Sequence, residues 1–276
     1  MAFSTVFSAA LIGLSVQIIE VEADVSSGLP ITQIVGYLSS EVRESTLRVR
    51  ASIKNLGVTI PPKRIVINLS PATVRKHGAS FDLPISVALL ASLGEIEVEA
   101  TDNTLFVGEL SLDGKIRGVP GVLSIIIEAR ERNIKRCIVP MENYHEGKMV
   151  QGIEVVGTSN LTNLINYMKY GSMEKIEDNK TIETIDDPQV DFADIISQTM
   201  VKRSLEIAVS GGHNVLMIGP PGSGKTMMSK RIPTIFPELS ESESMEITKI
   251  YSVNGLINPR NPMITKRQFR EVHHTV

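Results

Sequence analysis

The stretch Val215–Lys230, VLMIGPPGSGKTMMSK, constrains the fold more than any other part of the 276-residue chain. Gly219-Pro220-Pro221-Gly222-Ser223-Gly224-Lys225-Thr226 fits the pattern G-x-x-x-x-G-K-[ST] at every position. Such a loop needs glycine, so that main-chain N–H groups can curl round a phosphate with no Cβ in the way. It also needs an apolar strand before it and a helix after it, whose positive N-terminal end faces the same anion. The chain supplies both: NVLMIG predicts a short buried strand, and GKTMMSKRI opens a helix that ends before Pro233. That context sets aside a plain Gly-Pro turn between strand and helix. Lys225 is expected to reach the β- and γ-oxygens of ATP, and the Thr226 hydroxyl to ligate Mg2+.

Breaking the nucleotide down needs more than a cradle. It needs a carboxylate at the end of a later apolar strand to hold Mg2+ through water, a group that positions the attacking water, and usually an arginine. Fifty residues follow Thr226, and none of Glu238, Glu241, Glu243 or Glu246 comes after four apolar residues. The expectation is a chain that binds nucleotide and hydrolyses it poorly, if at all.

Length and composition allow two modest domains: 42% of residues are hydrophobic and 21% charged, as in ordinary globular proteins. The net charge of −3 advertises no overall nucleic-acid field, but residues 171–190 alone carry six acids and two lysines, leaving the remainder near neutral. The single cysteine, Cys137 in IKRCIVP, excludes a disulfide framework and reads as the core of a strand. The opening MAFSTVFSAALIGLSVQII has no Lys or Arg before its apolar run, so it reads as two strands around Gly13 rather than a signal peptide. No run approaches the roughly 20 apolar residues of a membrane span, which predicts a soluble, cytoplasmic protein.

Residues 1–170 mix strands with a few helices, an α+β pattern. SSEVRESTLRVRASIKNLG places Val42, Leu47, Val49 and Ile53 at helical spacing and ends near Gly57. RIVINLSP is a strand closed by Pro71, and DLPISVALLASLG a buried helix stopped at Gly94. LFVGELSLDGKIRG is a hairpin turning at Asp113-Gly114. GVLSIIIEARERN is a helix, and RCIVP and IEVVG are strands. Residues 171–190 lack an apolar period and form a solvated acidic linker. From residue 191 to 276 the pattern changes, with TMVKRSLEIAVSGG a helix stopped by its Gly-Gly pair.

Taken together, these residues resemble the magnesium-chelatase-like AAA+ ATPases of bacteria, the group that contains the ComM-type competence proteins. The resemblance runs along essentially the whole chain. It rests on DFADIISQ, GGHNVLMIGPPGSGKTMMSKRIP and FREVHHTV, and on SSGLPITQIVG, ESTLRVRASIKNLG, FDLPISVALLASLGE and GELSLDGKIRGVPGVL. It implies a Lon-protease-like (ribosomal S5 domain 2-like) N-terminal domain over 1–170, then an incomplete α/β P-loop AAA+ domain over 191–276. It further implies homo-oligomeric rings, a helicase that extends branched DNA during recombination, and Ile195 and Ile196 near the adenine. Relatives of this kind continue past the His273-His274 pair through their carboxylate strand and arginine finger, so the chain looks like the first half or so of a longer protein. Three positions depart from the family pattern: Ser197 stands where Gly is usual, Gln268 where R-P-F-R has Pro, and Val272 where Pro precedes the histidine pair.

Competing chemistry is weaker. KHGASFD is similar to the Lon nucleophile segment and puts Ser80 in the nucleophile's place, but a Ser–Lys dyad needs an amine within reach. The position matching that lysine is Leu123, and Lys115 sits in a hairpin turn. Proteolysis is therefore not expected. His273 and His274, even with His77 or His145, lack the spacing of a metal site. The TKRQFR cluster could touch DNA phosphates with Phe269 stacking on a base. A chelatase motor subunit, or a remnant that holds nucleotide without turnover, remain as alternatives.

Overall fold

The structure is a computed structural model that describes residues 3–172, 174 and 190–271. Most of the acidic stretch (175–189) and Val272, His273 and His274 lie outside the described residues. The chain divides into two compact units, the first of residues 1–180 with 248–262, the second of 181–247 with 263–276.

In chain order the first unit contains β1 (Phe3–Ile12), β2 (Ser15–Ser26), β3 (Thr32–Val35), α1 (Ser40–Asn55), β4 (Arg64–Ser70), α2 (Asp82–Ser92), β5 (Thr104–Phe106), β6 (Glu109–Leu110), β7 (Ile116–Arg117), α3 (Val122–Glu131), β8 (Arg136–Pro140), α4 (Tyr144–Lys148), β9 (Glu154–Thr158) and α5 (Leu161–Tyr170). Seven strands form one sheet in the order β3-β4-β2-β1-β5-β8-β9, and β6 pairs with β7 in a separate ribbon. β1 and β2 are the predicted hairpin around Gly13, antiparallel from Phe3↔Asp24 to Ile12↔Ser15. Beyond β1 the sheet turns parallel, through β5, β8 and β9, as does β3 beside β4. It is thus a mixed α/β sheet, more parallel than the α+β reading implies, because helical crossovers such as α3 and α4 return the chain to the same end of the sheet.

Period-2 alternation decides which face is buried. Val21, Ala23 and Val25 of β2 and Ile65, Ile67 and Leu69 of β4 are fully or almost fully buried, while Glu20, Glu22, Asp24 and Arg64 on the other face are not. α1 and α2 contribute Val42, Val49, Ile53, Leu83, Val87 and Leu90 to the same core. All eleven residues of α2 are buried, Asp82 included. That carboxylate is tolerated because Arg48 donates to it twice, at 2.6 and 3.0 Å, and the Leu110 N–H once, at 3.2 Å. The pairing in turn raises the Arg48 pKa, chiefly through the hydrogen bond to Asp82. Cys137 is buried, as predicted, and desolvation pushes its thiol pKa up to about 12, so it stays protonated.

Three local expectations change. Leu47 is 72% exposed on α1 rather than part of its core face; α1 ends at Asn55 as foreseen, but Val42, Ser45, Val49, Ser52 and Ile53 make its buried stripe. Leu105 and Phe106 leave the Asp113-Gly114 hairpin and join the main sheet as β5, so that the hairpin shrinks to β6 and β7. β3, a four-residue edge strand after Pro30, was not foreseen.

The second unit holds α6 (Thr199–Ser210), α7 (Lys225–Arg231) and the start of α8 (Glu241–Val253), whose residues from Thr248 onward belong to the first unit. There the Ser252 carbonyl accepts the Gly121 N–H at 2.9 Å, and the Ser252 hydroxyl donates to Glu146. Glu146, only 3% exposed, also accepts the Leu123 N–H at 2.9 Å and the Asn143 amide at 3.0 Å. The expected strand NVLMIG is not one: residues 213–220 form no ladder, and Val215, Leu216 and Ile218 are 46, 84 and 89% exposed. Among the described residues no strand lies beside this run, and an extended segment without a partner has no hydrogen bonds to make it a strand.

Candidate functional site

The phosphate loop is positioned by what flanks it. Asp191 accepts the Ala193 N–H at 2.7 Å while Asp194 accepts the Asp191 N–H at 3.0 Å, a reciprocal cap that fixes the entry to DFADIISQ. Phe192, Ile195, Leu205 and Met228 then make a small core, with Val201, Met217, Ile232 and Ile235 packed against it. This core ties α6 to α7, and so holds both ends of the loop. Lys202 donates to the Ile195 carbonyl at 3.1 Å and lies 5.4 Å from the Phe192 ring centroid, closing the turn from the other side.

Within the loop, Gly222 and Gly224 have φ of +79° and +82°, and Gly224 is the residue before α7. A left-handed backbone at both positions is what glycine supplies without strain. No heavy atom lies within 4 Å of where a Gly222 Cβ would sit, so the loop's outer side is open. The Lys225 ammonium curls back over the loop and donates to the carbonyls of Gly219 and Pro220, both at 2.9 Å, and to the Ser223 hydroxyl at 3.2 Å. Pro220, Pro221 and Thr226 are exposed, and Thr226 stands in the first turn of α7 directly after the lysine. A cation held at the mouth of a glycine cradle, beside a helix N-terminus and an accessible hydroxyl, is chemically suited to a polyphosphate with Mg2+.

Beside the loop lies a hollow of about 420 Å3 whose lining includes Met200, Val201, Leu205, Leu216, Ile218 and Lys225. Neither Ile195 nor Ile196 lines it: Ile195 is buried in the small core, and Ile196 is 86% exposed. Ser197 and Gln198 follow with φ of +65° and +59°. Glycine adopts that conformation freely, and serine at 197 does so at a cost.

The remaining candidates stand apart. Ser80 is half-buried ahead of α2, its carbonyl accepting the Gly108 N–H at 3.0 Å. Leu123 is fully buried in α3, and Lys115 pairs with Asp113 at 3.2 Å in the exposed hairpin turn. A fully buried lysine that sequence reasoning passed over, Lys76, lies four residues before Ser80; its ammonium donates to the Pro71 carbonyl, and burial lowers its pKa. Of the TKRQFR cluster, Arg267 is engaged internally: it donates to the Pro237 carbonyl at 2.9 Å, meets Glu243 at 3.3 Å and lies over the Phe236 ring. Phe269 is 43% exposed. Among the described residues no group of three or more His, Cys, Asp or Glu is placed to hold a metal ion, and no helix is long and apolar enough to cross a membrane.

Comparison with known proteins agrees with this layout. Residues 21–143 match the family described as subunit ChlI of Mg-chelatase, and residues 191–276 match magnesium chelatase, subunit ChlI. The chain belongs to the magnesium-chelatase-like family that includes ComM and YifB. It is 37% identical over 278 residues to the uncharacterized protein YifB of Escherichia coli, covering all of this chain and 54% of that protein. It is 32% identical over 280 residues to the competence protein ComM of Haemophilus influenzae, with the same coverage. The chain therefore spans about half the length of these curated relatives. A weaker likeness, 26% over 161 residues, joins 54% of the chain to 20% of the Lon protease of Finegoldia magna, and fits a Lon-like N-terminal region.

Proposed function

We propose that residues 191–276 are the first part of an AAA+ nucleotide-binding domain that holds ATP with Mg2+. The Gly219–Thr226 backbone and Lys225 would cradle the phosphates, and Thr226 would ligate the metal. The observation that carries this reading is the loop itself, with Gly222 and Gly224 left-handed and the Lys225 ammonium gathered over the Gly219 and Pro220 carbonyls. A chain of these 276 residues binds ATP and turns it over slowly, because no apolar strand ending in a carboxylate follows Thr226 in it. In the assembled, longer protein the role is that of a ring-forming motor acting on branched DNA, a reading supported by the similarity to the competence protein ComM. The chelatase motor is the second reading, favoured by the two chelatase family matches and disfavoured by the Lon-like region that precedes the loop.

The test is equilibrium binding of a fluorescent ATP analogue to the wild type and to Lys225→Ala. Loss of the ammonium lowers affinity by about 100-fold, the weight of two 1.4 kcal/mol steps; equal affinity in the two proteins removes the loop from the account. Rapid Mg2+-dependent phosphate release by the wild type would overturn slow turnover while leaving binding intact.

A further inference from the structure

The two residues directly ahead of α6 hold a costly conformation. Ser197 and Gln198 are both left-handed, with φ of +65° and +59°, and neither is glycine. Each carries a steric penalty that glycine would not. The joint is fixed from both ends. Ile195 before it is buried in the small core, and its carbonyl accepts from the Lys202 ammonium at 3.1 Å. After it, the Gln198 carbonyl accepts the Lys202 N–H at 3.0 Å and opens α6. Strain of this kind persists where the surrounding structure imposes it, and it gathers at ligand clamps and switch regions.

A turn alone would be better served by glycine at 198. Glutamine adds a side chain, and the one hydrogen bond which that side chain makes among the described residues reaches the glycine-rich loop: its Nε2 donates to the Ser223 carbonyl at 3.4 Å. The Ser223–Gly224 peptide is trans, so its C=O and N–H point to opposite sides. A donor that holds this carbonyl therefore turns the Gly224 N–H to the other side of the loop. That N–H donates to no main-chain group among the described residues, and unpaired main-chain donors are what a glycine-rich loop offers a phosphate. Given that Gly219–Thr226 cradles phosphate, the reading on which this role depends, we propose that Gln198 is a positioning residue for the polyphosphate. Its amide pins the Ser223–Gly224 peptide and so presents the Gly224 N–H to the bound phosphates. The 3.4 Å bond is long for an amide donor. It shortens when a phosphate engages the opposite side of the same peptide, because the two bonds polarise one another. Gln198 acts on the phosphates alone and is indifferent to the base.

The test titrates the whole chain calorimetrically with ATP and Mg2+ and, separately, with inorganic tripolyphosphate and Mg2+, and records its melting temperature without ligand. Gln198→Gly removes the amide and relieves the φ of +59°. Gln198→Asn keeps an amide and tolerates that φ, but its side chain is one carbon too short to reach Ser223. Both variants are expected to bind ATP and tripolyphosphate about fivefold more weakly than the wild type, the loss of one modest hydrogen bond, while Gln198→Gly melts higher. A purely structural role would move affinity and stability in the same direction; here they part. Wild-type affinity in both variants would overturn the role of Gln198. So would weaker ATP binding with unchanged tripolyphosphate binding, which would set Gln198 beside the base. Lys225→Ala tells the two levels apart: weaker binding of both ligands upholds the cradle whatever Gln198 does. Wild-type binding of tripolyphosphate by Lys225→Ala, or no binding by the wild type, would overturn the cradle and the role of Gln198 with it.

Discussion

β8, RCIVP, and the run VLMIG at residues 215–219 look alike on paper: both are short, apolar and next to a polar residue. Their outcomes are opposite. β8 is paired on both sides, with β5 and β9, and Cys137, Ile138 and Val139 are completely buried. VLMIG is unpaired and its Leu216 and Ile218 side chains are more than four-fifths exposed. Strand propensity is a statement about neighbours as much as about the residues themselves. An apolar run becomes a strand when the chain lays another alongside, and otherwise stays a strip of open backbone leading to the phosphate loop.

The first unit can be broken where its core depends on one charge. Asp82→Ala removes the acceptor of both Arg48 bonds and of the Leu110 N–H, and is expected to destabilise that unit by about 3–5 kcal/mol, read as a lowered urea midpoint with an unchanged slope. Next in size is the direct contrast between the two runs. Ile138→Ala empties a buried site and costs about 2–4 kcal/mol, whereas Ile218→Ala changes an exposed residue and shifts stability by less than about 0.5 kcal/mol. Equal effects in a denaturation series would mean that residues 215–219 are covered in solution. Hydrogen exchange sharpens the same point: the amides of Cys137 and Val139 exchange only through unfolding, and those of Leu216 and Ile218 exchange at nearly open-chain rates. The smallest effect is at Ser197, whose φ of +65° favours glycine; Ser197→Gly is expected to stabilise the second unit by up to about 1 kcal/mol, seen as a rise in melting temperature.

The same contrast explains what could be read in advance. The turn of the glycine-rich loop was legible, because its pattern states a backbone conformation that Gly222 and Gly224 adopt, although the strand expected ahead of it does not form. The buried helix α2 was legible because apolar residues dominate it from Leu83 to Ala91, with Ser86 as their one polar interruption. β3 was hidden by its brevity and by Pro30 just ahead of it. α8 was hidden for a chemical reason: its buried residues include Ser244, Thr248 and Ser252, one turn apart, so its inward stripe is made of hydroxyls and carries no apolar period. Leu47 misled in the opposite direction, an apolar residue at the right spacing on a face that stays wet. The buried carboxylates Asp82 and Glu146 were invisible because their partners come from distant stretches of chain.

The return of residues 248–262 to the first unit bears on how the molecule can be divided. A fragment stopped in the acidic stretch would carry the whole sheet, yet it would lose the Ser252 hydroxyl from Glu146 and the Ser252 carbonyl from the Gly121 N–H. The Gly121 N–H ahead of α3 and the Glu146 carboxylate of α4 would each then lose a partner, so the first unit is expected to behave best when the chain is cut after Pro262, with the glycine-rich loop carried along as an internal passenger.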